Sequence, residues 1–325
     1  MEILNADVAA DVRRAAEILL SGGLVAIPTE TVYGLGADAS NDSAVRRVFT
    51  VKGRPTDHPL ILHVADHDAA KAASGKWTAA AEILARTFWP GALSILTEKS
   101  PRVSDAVTGA RSTVVVRVPD HRATLTVLRV LHEHGSVGLA APSANKFGAV
   151  SPTTARHVID DLGDAIDAVL DGGPCRVGLE STIVDCRSAV PVILREGGVT
   201  VESIGTELAR HGLSVETSTQ PSGIAVPVDA VAPGMLESHY APRARVEVFD
   251  TEVDLAEREA ELVSEGVPCA RLAATNDLIE YSRGLYRNLR ECDSTGVVVI
   301  LAVLPPPIGL GAAIRDRLRK AAAAR

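Results

Sequence analysis

Aromatic side chains are scarce in this sequence: four Phe, four Tyr and two Trp make up 3% of it. Any large core must therefore be built from Ala, Val, Leu and Ile, within an ordinary apolar content of 46%. Cysteine is scarce too. Cys175, Cys186, Cys269 and Cys292 form no CxxC pair and no zinc-type spacing, which argues against a structural metal or a disulfide framework and for reduced thiols in a cytoplasmic protein. Excess positive charge is missing. A net charge of −8 speaks against a large nucleic-acid footprint, which shows as a basic domain, but leaves room for a small basic site. No apolar run approaches the ~20 residues of a membrane span. The acidic start, MEILNADVAADVRR, lacks the basic-then-apolar order of a signal peptide.

What is present is alternation. At 325 residues the chain can hold two cores. DVAADVRRAAEILLSGG carries apolar residues at helical spacing and ends in glycines suited to a C-cap. DSAVRRVF reads as a second helix with Asp42 as N-cap. LVAIP, PLILHVA, ALSILTE, TVVVRVP, SVGLAAP, STIVDC and PVILREGG read as strands, with TAAAEILARTF and HRATLTVLRVLHEHG as helices among them. The pattern predicts an α/β domain with a large, mostly buried, mixed sheet. From Thr217 to Arg243 periodicity stops and prolines accumulate, as in a linker long enough to be functional. Strand and helix patterns then alternate three times, which predicts a small parallel, Rossmann-like unit.

Familiar catalytic patterns fail. YGLGADA has loose dinucleotide spacing, but no helix opens on its glycines; GPCRVGLEST has phosphate-loop spacing with Leu179 where lysine belongs. There is no G-x-S-x-G and no H-E-x-x-H. His132 and His134, two apart on a predicted helix, point in different directions. What remains is a set of polar loops at strand ends. TVKGRPTDHPLILHV places Lys52, Arg54, His58 and His63 around two prolines, a rigid frame for holding an anion. Each loop alone is ordinary turn chemistry. Arg117 inside an apolar strand and Arg195 at the end of another are less ordinary, because a charge there is costly unless paired or facing a ligand. Converged, these loops would make a cleft suited to a polyphosphate and a small zwitterion.

PTETVYGLGADA, KGRPTDHPLILHV, FWPGALSILTE, APSANKFGAVSPTTARHV, GLESTIVD, ILREGG, PGMLESHYAP and the terminal GLGAAIRDRLRKAA resemble the long form of the threonylcarbamoyl-AMP synthase family, over nearly the whole chain and in the family's order. The resemblance implies a YrdC-like catalytic domain at 1–213, a linker and lid at 214–243, and a small Rossmann-like domain at 244–325. It implies synthesis of threonylcarbamoyl-AMP and pyrophosphate from L-threonine, bicarbonate and ATP, with Mg2+, in the cytoplasm. The product would pass to a tRNA-modifying threonylcarbamoyl transferase, with little or no direct tRNA binding. By the same resemblance Thr31, His63, Arg117, Ala141 and Ser181 hold threonine. Lys52, Arg54, His58, Thr113, Ser143, Asn145, Ser151, Arg195 and Tyr240 hold ATP, Lys52 and Arg54 being the catalytic cations. Ser238 to Pro242 would fold over the cleft. HPL and REGG stand where NPL and RPGG are also expected, without loss of a cation. Two rivals remain: a carbamoyltransferase on the same catalytic domain, normally part of a larger protein, and an RNA-binding module, which the acidic balance weakens.

Overall fold

The computed structural model describes residues 1–218 and 240–323. Residues 219–239 of the expected linker and lid lie outside these residues; of the segment expected to fold over the cleft, Tyr240 to Pro242 are described.

The first unit is built on strands β1 (Glu2–Asn5), β2 (Val25–Ile27), β3 (Gly34–Asp38), β4 (Ile61–His63), β5 (Ser74–Lys76), β6 (Leu93–Lys99), β7 (Thr113–Arg117), β8 (Leu139–Ala140), β9 (Ala168–Asp171), β10 (Thr182–Asp185), β11 (Val192–Arg195) and β12 (Glu216–Thr217). Among the described residues they form one sheet in the order β1-β9-β2-β3-β8-β4-β7-β6-β10-β11-β12, with β5 against β6. Parallel and antiparallel pairs are mixed: β4 runs parallel to β7, β7 antiparallel to β6, β6 parallel to β10. The mixed sheet is as expected. β12 lies beyond residue 213 and still pairs with β11.

The helices are α1 (Ala9–Leu20), α2 (Asp42–Lys52), α3 (His67–Ala73), α4 (Ala79–Phe88), α5 (Asp105–Thr108), α6 (Arg122–Glu133), α7 (Ala155–Leu162) and α8 (Val201–Arg210). Successive strand residues serve opposite faces. Leu24 and Ala26 join the large cluster with Val45, Leu84 and Val158 from the helices, whereas Val25 and Ile27 join a second cluster with α1 and α6. This second face also carries a small apolar group, Ile61, Leu96, Val115, Ile183 and Leu194. The cleft described below opens between these two groups. The N-cap of α2 is Asn41, whose side chain accepts from the Ala44 N–H, and not Asp42. Asp42 sits one residue inside the helix and accepts from Ser104 Oγ instead.

The second unit has strands β13 (Arg245–Phe249), β14 (Cys269–Arg271) and β15 (Val299–Val303), and helices α9 (Glu252–Ser264), α10 (Leu278–Ser294) and α11 (Leu310–Ala322). Its sheet is parallel throughout, in the order β13-β15-β14, so the last strand is central. Parallel pairing needs crossovers, and the helices provide them. The units dock through α7, α10 and α11. Arg290 on α10 forms an ion pair with Asp161 on α7 at 2.6 Å and donates to the Val150 carbonyl. Ser282 donates to Val177 O at 3.1 Å, and Arg283 to Arg176 O at 3.0 Å.

Candidate active site

The sheet brings the polar loops together. His63 ends β4 and Arg117 ends β7, and the two are partners in the parallel register, so both side chains emerge on one face. Arg195 ends β11. Glycine lets the next turn close tightly: a Cβ on Gly197 would lie 2.3 Å from Glu180 O, while Gly198 N–H donates to that carbonyl at 2.9 Å. The approach sets Arg195 over Ser181, whose carbonyl accepts from Arg195 Nη2 at 2.8 Å and Nε at 3.1 Å. The loop after β2 is a hydroxyl-closed turn: Thr29 Oγ1 donates to Val32 O at 2.6 Å and accepts from the Thr31 and Val32 N–H groups.

Together they line a cavity of about 60 Å³. Nine of the residues named from sequence face it: Thr31, Arg54, His63, Arg117, Ala141, Ser143, Ser181, Arg195 and Tyr240. Tyr240 is itself buried, with a left-handed φ of 63°, and fills one side. Thr29, Val32, Gly34, Ile61, Pro142 and Glu180 complete the wall. Glu180 carried no role in the sequence reading. Its carboxylate in GLESTIVD carries no local signal, and its importance comes from distant partners.

Five named residues stand outside the lining. Lys52 is buried at the end of α2, and its Nζ donates to the Ser143 and Asn145 carbonyls. Burial, then the nearby Arg54 charge, pushes it well below the usual ammonium range. His58 meets the Phe147 ring edge-on at 5.7 Å. Asn145 Nδ2 donates to the Lys146 and Ala149 carbonyls at 2.8 Å each. Ser151 Oγ donates to Glu180 at 2.7 Å. Thr113 begins β7, on the same face as Arg117 but roughly 13 Å away by strand rise. The Lys52–His58 stretch thus grips the 143–149 loop as much as it faces the cavity.

The charges are not equivalent. Arg117 Nη2 lies 2.7 Å from Glu30 Oε1 and donates to Thr31 Oγ1 at 3.0 Å. The charge in the apolar strand therefore has a buried counter-ion as well as a place on the cavity. Arg54 Nη2 donates to Pro59 O at 3.0 Å, and burial lowers its pKa to about 10, so it stays cationic at neutral pH. His63 does not act as a cation: burial, then the Arg117 charge, lowers it to about 3. Arg54 Nε and His63 Nδ1 are buried without hydrogen-bond partners among the described residues. No group of three His, Cys, Asp or Glu side chains among the described residues is arranged for a metal. All four cysteines are free. No helix of the described residues is long and apolar enough to cross a membrane.

Residues 17–197 match the Sua5–YciO–YrdC family model, described as telomere recombination, and residues 199–323 match the model described as the threonylcarbamoyl-AMP synthase C-terminal domain. The chain is 39% identical to the threonylcarbamoyl-AMP synthase of Pyrococcus abyssi over 95% of its own length and 93% of the relative's. It is 37% identical to that of Vibrio vulnificus, but over 58% of itself and 98% of that shorter relative. The crystal structure of P. abyssi Sua5 complexed with L-threonine superposes with a TM-score of 0.89 at 38% identity, covering 99% of this chain and 98% of that one.

Proposed function

Since the chain belongs to the threonylcarbamoyl-AMP synthase family, we propose that its cleft converts L-threonine, bicarbonate and ATP into threonylcarbamoyl-AMP and pyrophosphate, an adenylyl transfer. The observation that carries this reading is the pair of buried polar nitrogens without hydrogen-bond partners among the described residues, Arg54 Nε and His63 Nδ1, on one cavity with Arg117 and Arg195. Buried polar atoms without partners are rare and point to a ligand.

Threonine and bicarbonate condense to N-carboxythreonine with loss of water. The carbamate oxygen then attacks the α-phosphorus of ATP, and the bond to the β-phosphate oxygen breaks. The carbamate is already an anion, so the site needs positioning and charge neutralisation more than a strong base. Arg117, with Thr31, takes the threonine carboxylate as a charge-assisted contact. Neutral His63, with Ala141 and Ser181, shapes the rest of that end. Arg54, Ser143 and Arg195 meet the phosphates. Thr113 lies along β7 where an extended nucleotide would reach. Lys52, His58 and Asn145 act by holding the 143–149 loop, and Ser151 acts through Glu180. Tyr240, on the cavity wall, lies against the nucleotide. ATP arrives as its Mg2+ complex, the ion held by phosphate oxygens and water. The product leaves in the cytoplasm for a tRNA-modifying transferase, with little or no tRNA bound here.

The test is pyrophosphate release from ATP. Release is expected when threonine and bicarbonate are both present and not when either is omitted. Equal release with carbamoyl phosphate, or none with any amino acid, overturns the reading.

A further inference from the structure

The second unit reaches the wall of this cavity. Glu180, 7% exposed, lines the cavity beside Ser181. One of its oxygens accepts from Ser151 Oγ at 2.7 Å; the other accepts from Tyr286 Oη at 2.7 Å and from Arg317 Nε at 2.8 Å. Tyr286 is on α10 and Arg317 on α11. The Arg317 side chain is 0% exposed. Its Nη2 donates to Glu196 O at 2.9 Å, and its guanidinium lies 5.0 Å from the Tyr240 ring centre. Tyr240 in turn stacks on Tyr286 at 5.7 Å.

Arg195 is the other cation that acts on Glu180. Burial alone would raise the Glu180 carboxyl; the charges of Arg317 and then Arg195, with the hydrogen bonds from Arg317 and Ser151, hold it at about 2. A buried anion must be compensated. With Arg317 in place, Glu180 is saturated by donors from outside the cavity. Without it, the other cation that acts on Glu180 is Arg195, which lines the same cavity and is the side chain assigned to phosphate.

We propose that Arg317 is a positioning residue: by occupying Glu180 it keeps that carboxylate from capturing Arg195, so docking of the second unit tunes the phosphate end of the site. The inference rests on the synthase reading above, and applies to the residues that grip ATP.

The test compares full-length wild type, R317M, R317K, E180Q and R317M/E180Q. ATP binding is read by calorimetry, KM and kcat by pyrophosphate release, and folding by thermal melts. R317M is expected to raise the KM for ATP about tenfold, the scale of a lost charge-assisted hydrogen bond, with a smaller change for threonine. R317K keeps the charge and should fall between R317M and wild type. The decisive variant is R317M/E180Q, in which no carboxylate remains to capture Arg195; its ATP affinity should recover most of the loss. An unchanged KM in folded R317M, or no recovery in the double variant, overturns the proposal. Should R317M not fold, Y286F carries the test, since it removes one donor from Glu180 and no charge. A rise in its ATP KM supports the proposal, and an unchanged KM overturns it. Wild type that neither binds ATP nor releases pyrophosphate would instead overturn the synthase reading itself.

Discussion

The two units of this protein bury charge in opposite ways. The first hides Lys52, Arg54, Arg117, Arg195, Glu30, Asp38, Glu180 and Asp185, with the neutral His63, among its buried residues. Among the described residues of the second, the one buried ionised side chain is Arg317, and it points out of its own core into the first unit. Each fold has the same option, to pack Val, Leu and Ile between sheet and helices. The second takes it, with Leu285, Leu289, Ile300 and Ile314 in its core. The first departs from it at several element ends, among them those of β4, β7 and β11, which meet at the cleft. Burying charge costs stability unless partners compensate. On the reading proposed above, the departure marks where a charged ligand would supply a further partner.

The largest effect should come from the cations that face the cavity. Arg54→Ala and Arg195→Ala are expected to lower kcat/KM for ATP by about two orders of magnitude, the scale for losing one preorganised donor to developing charge. Their melting temperatures should fall far less. Thermal melts beside ATP titrations decide; a large loss of melting temperature with unchanged ATP affinity would erase the contrast between the units.

Arg117 sharpens the contrast, because it has both a counter-ion and a cavity position. Arg117→Leu should weaken threonine about ten- to a hundredfold, as for a lost contact between charged groups, while ATP binding is largely kept. The variant should also lose stability, since Glu30 stays buried without its partner. Adding Glu30→Gln should restore stability and leave threonine weak. Calorimetry with each ligand checks this; equal loss of both would mean that Arg117 serves the fold alone.

The smallest effect is on pH dependence. His63 is lowered to about 3 by burial and Arg117, and His157 to about 4 by burial and Arg290. Both lie below the ordinary histidine value, so between that value and the folded one the unfolded chain binds more protons. Their contribution is therefore present above about pH 6.5 and lost as pH falls toward 3–4. Glu180, lowered to about 2, adds a loss below about pH 4.5 as its carboxylate protonates. Melting temperature should decline through these windows. His63→Asn should flatten the upper one; an unchanged slope would mean that His63 is not held neutral in the folded state.

Most strands were legible, because runs such as TVVVRVP and PLILHVA combine β-branched and apolar residues between turn signals. β3 was not. GLGAD has little strand propensity, and it pairs in the sheet because its glycines admit a close neighbour. A Cβ on Gly36 would meet Leu139 Cδ2 at 2.7 Å. The N-cap of α2 was displaced by one residue for a similar reason: Asn41 and Asp42 are both competent caps, and Ser104, far along the chain, takes Asp42.

The candidate site divides in the same manner. By itself the sequence determined which residue types stand at strand ends, and that Arg117 and Arg195 need partners, since composition and period-two patterning are local. Tertiary structure alone decided what those partners are. Glu30 comes to Arg117 from 87 positions earlier, Lys52 turns to the carbonyls of Ser143 and Asn145, and Arg317 crosses from the other unit to Glu180. Local sequence reports the cost of a buried charge. Which opposite charge compensates it depends on where the sheet order and the docking of two units bring distant side chains, because Coulomb attraction and hydrogen bonding act over ångströms in space and are indifferent to separation along the chain.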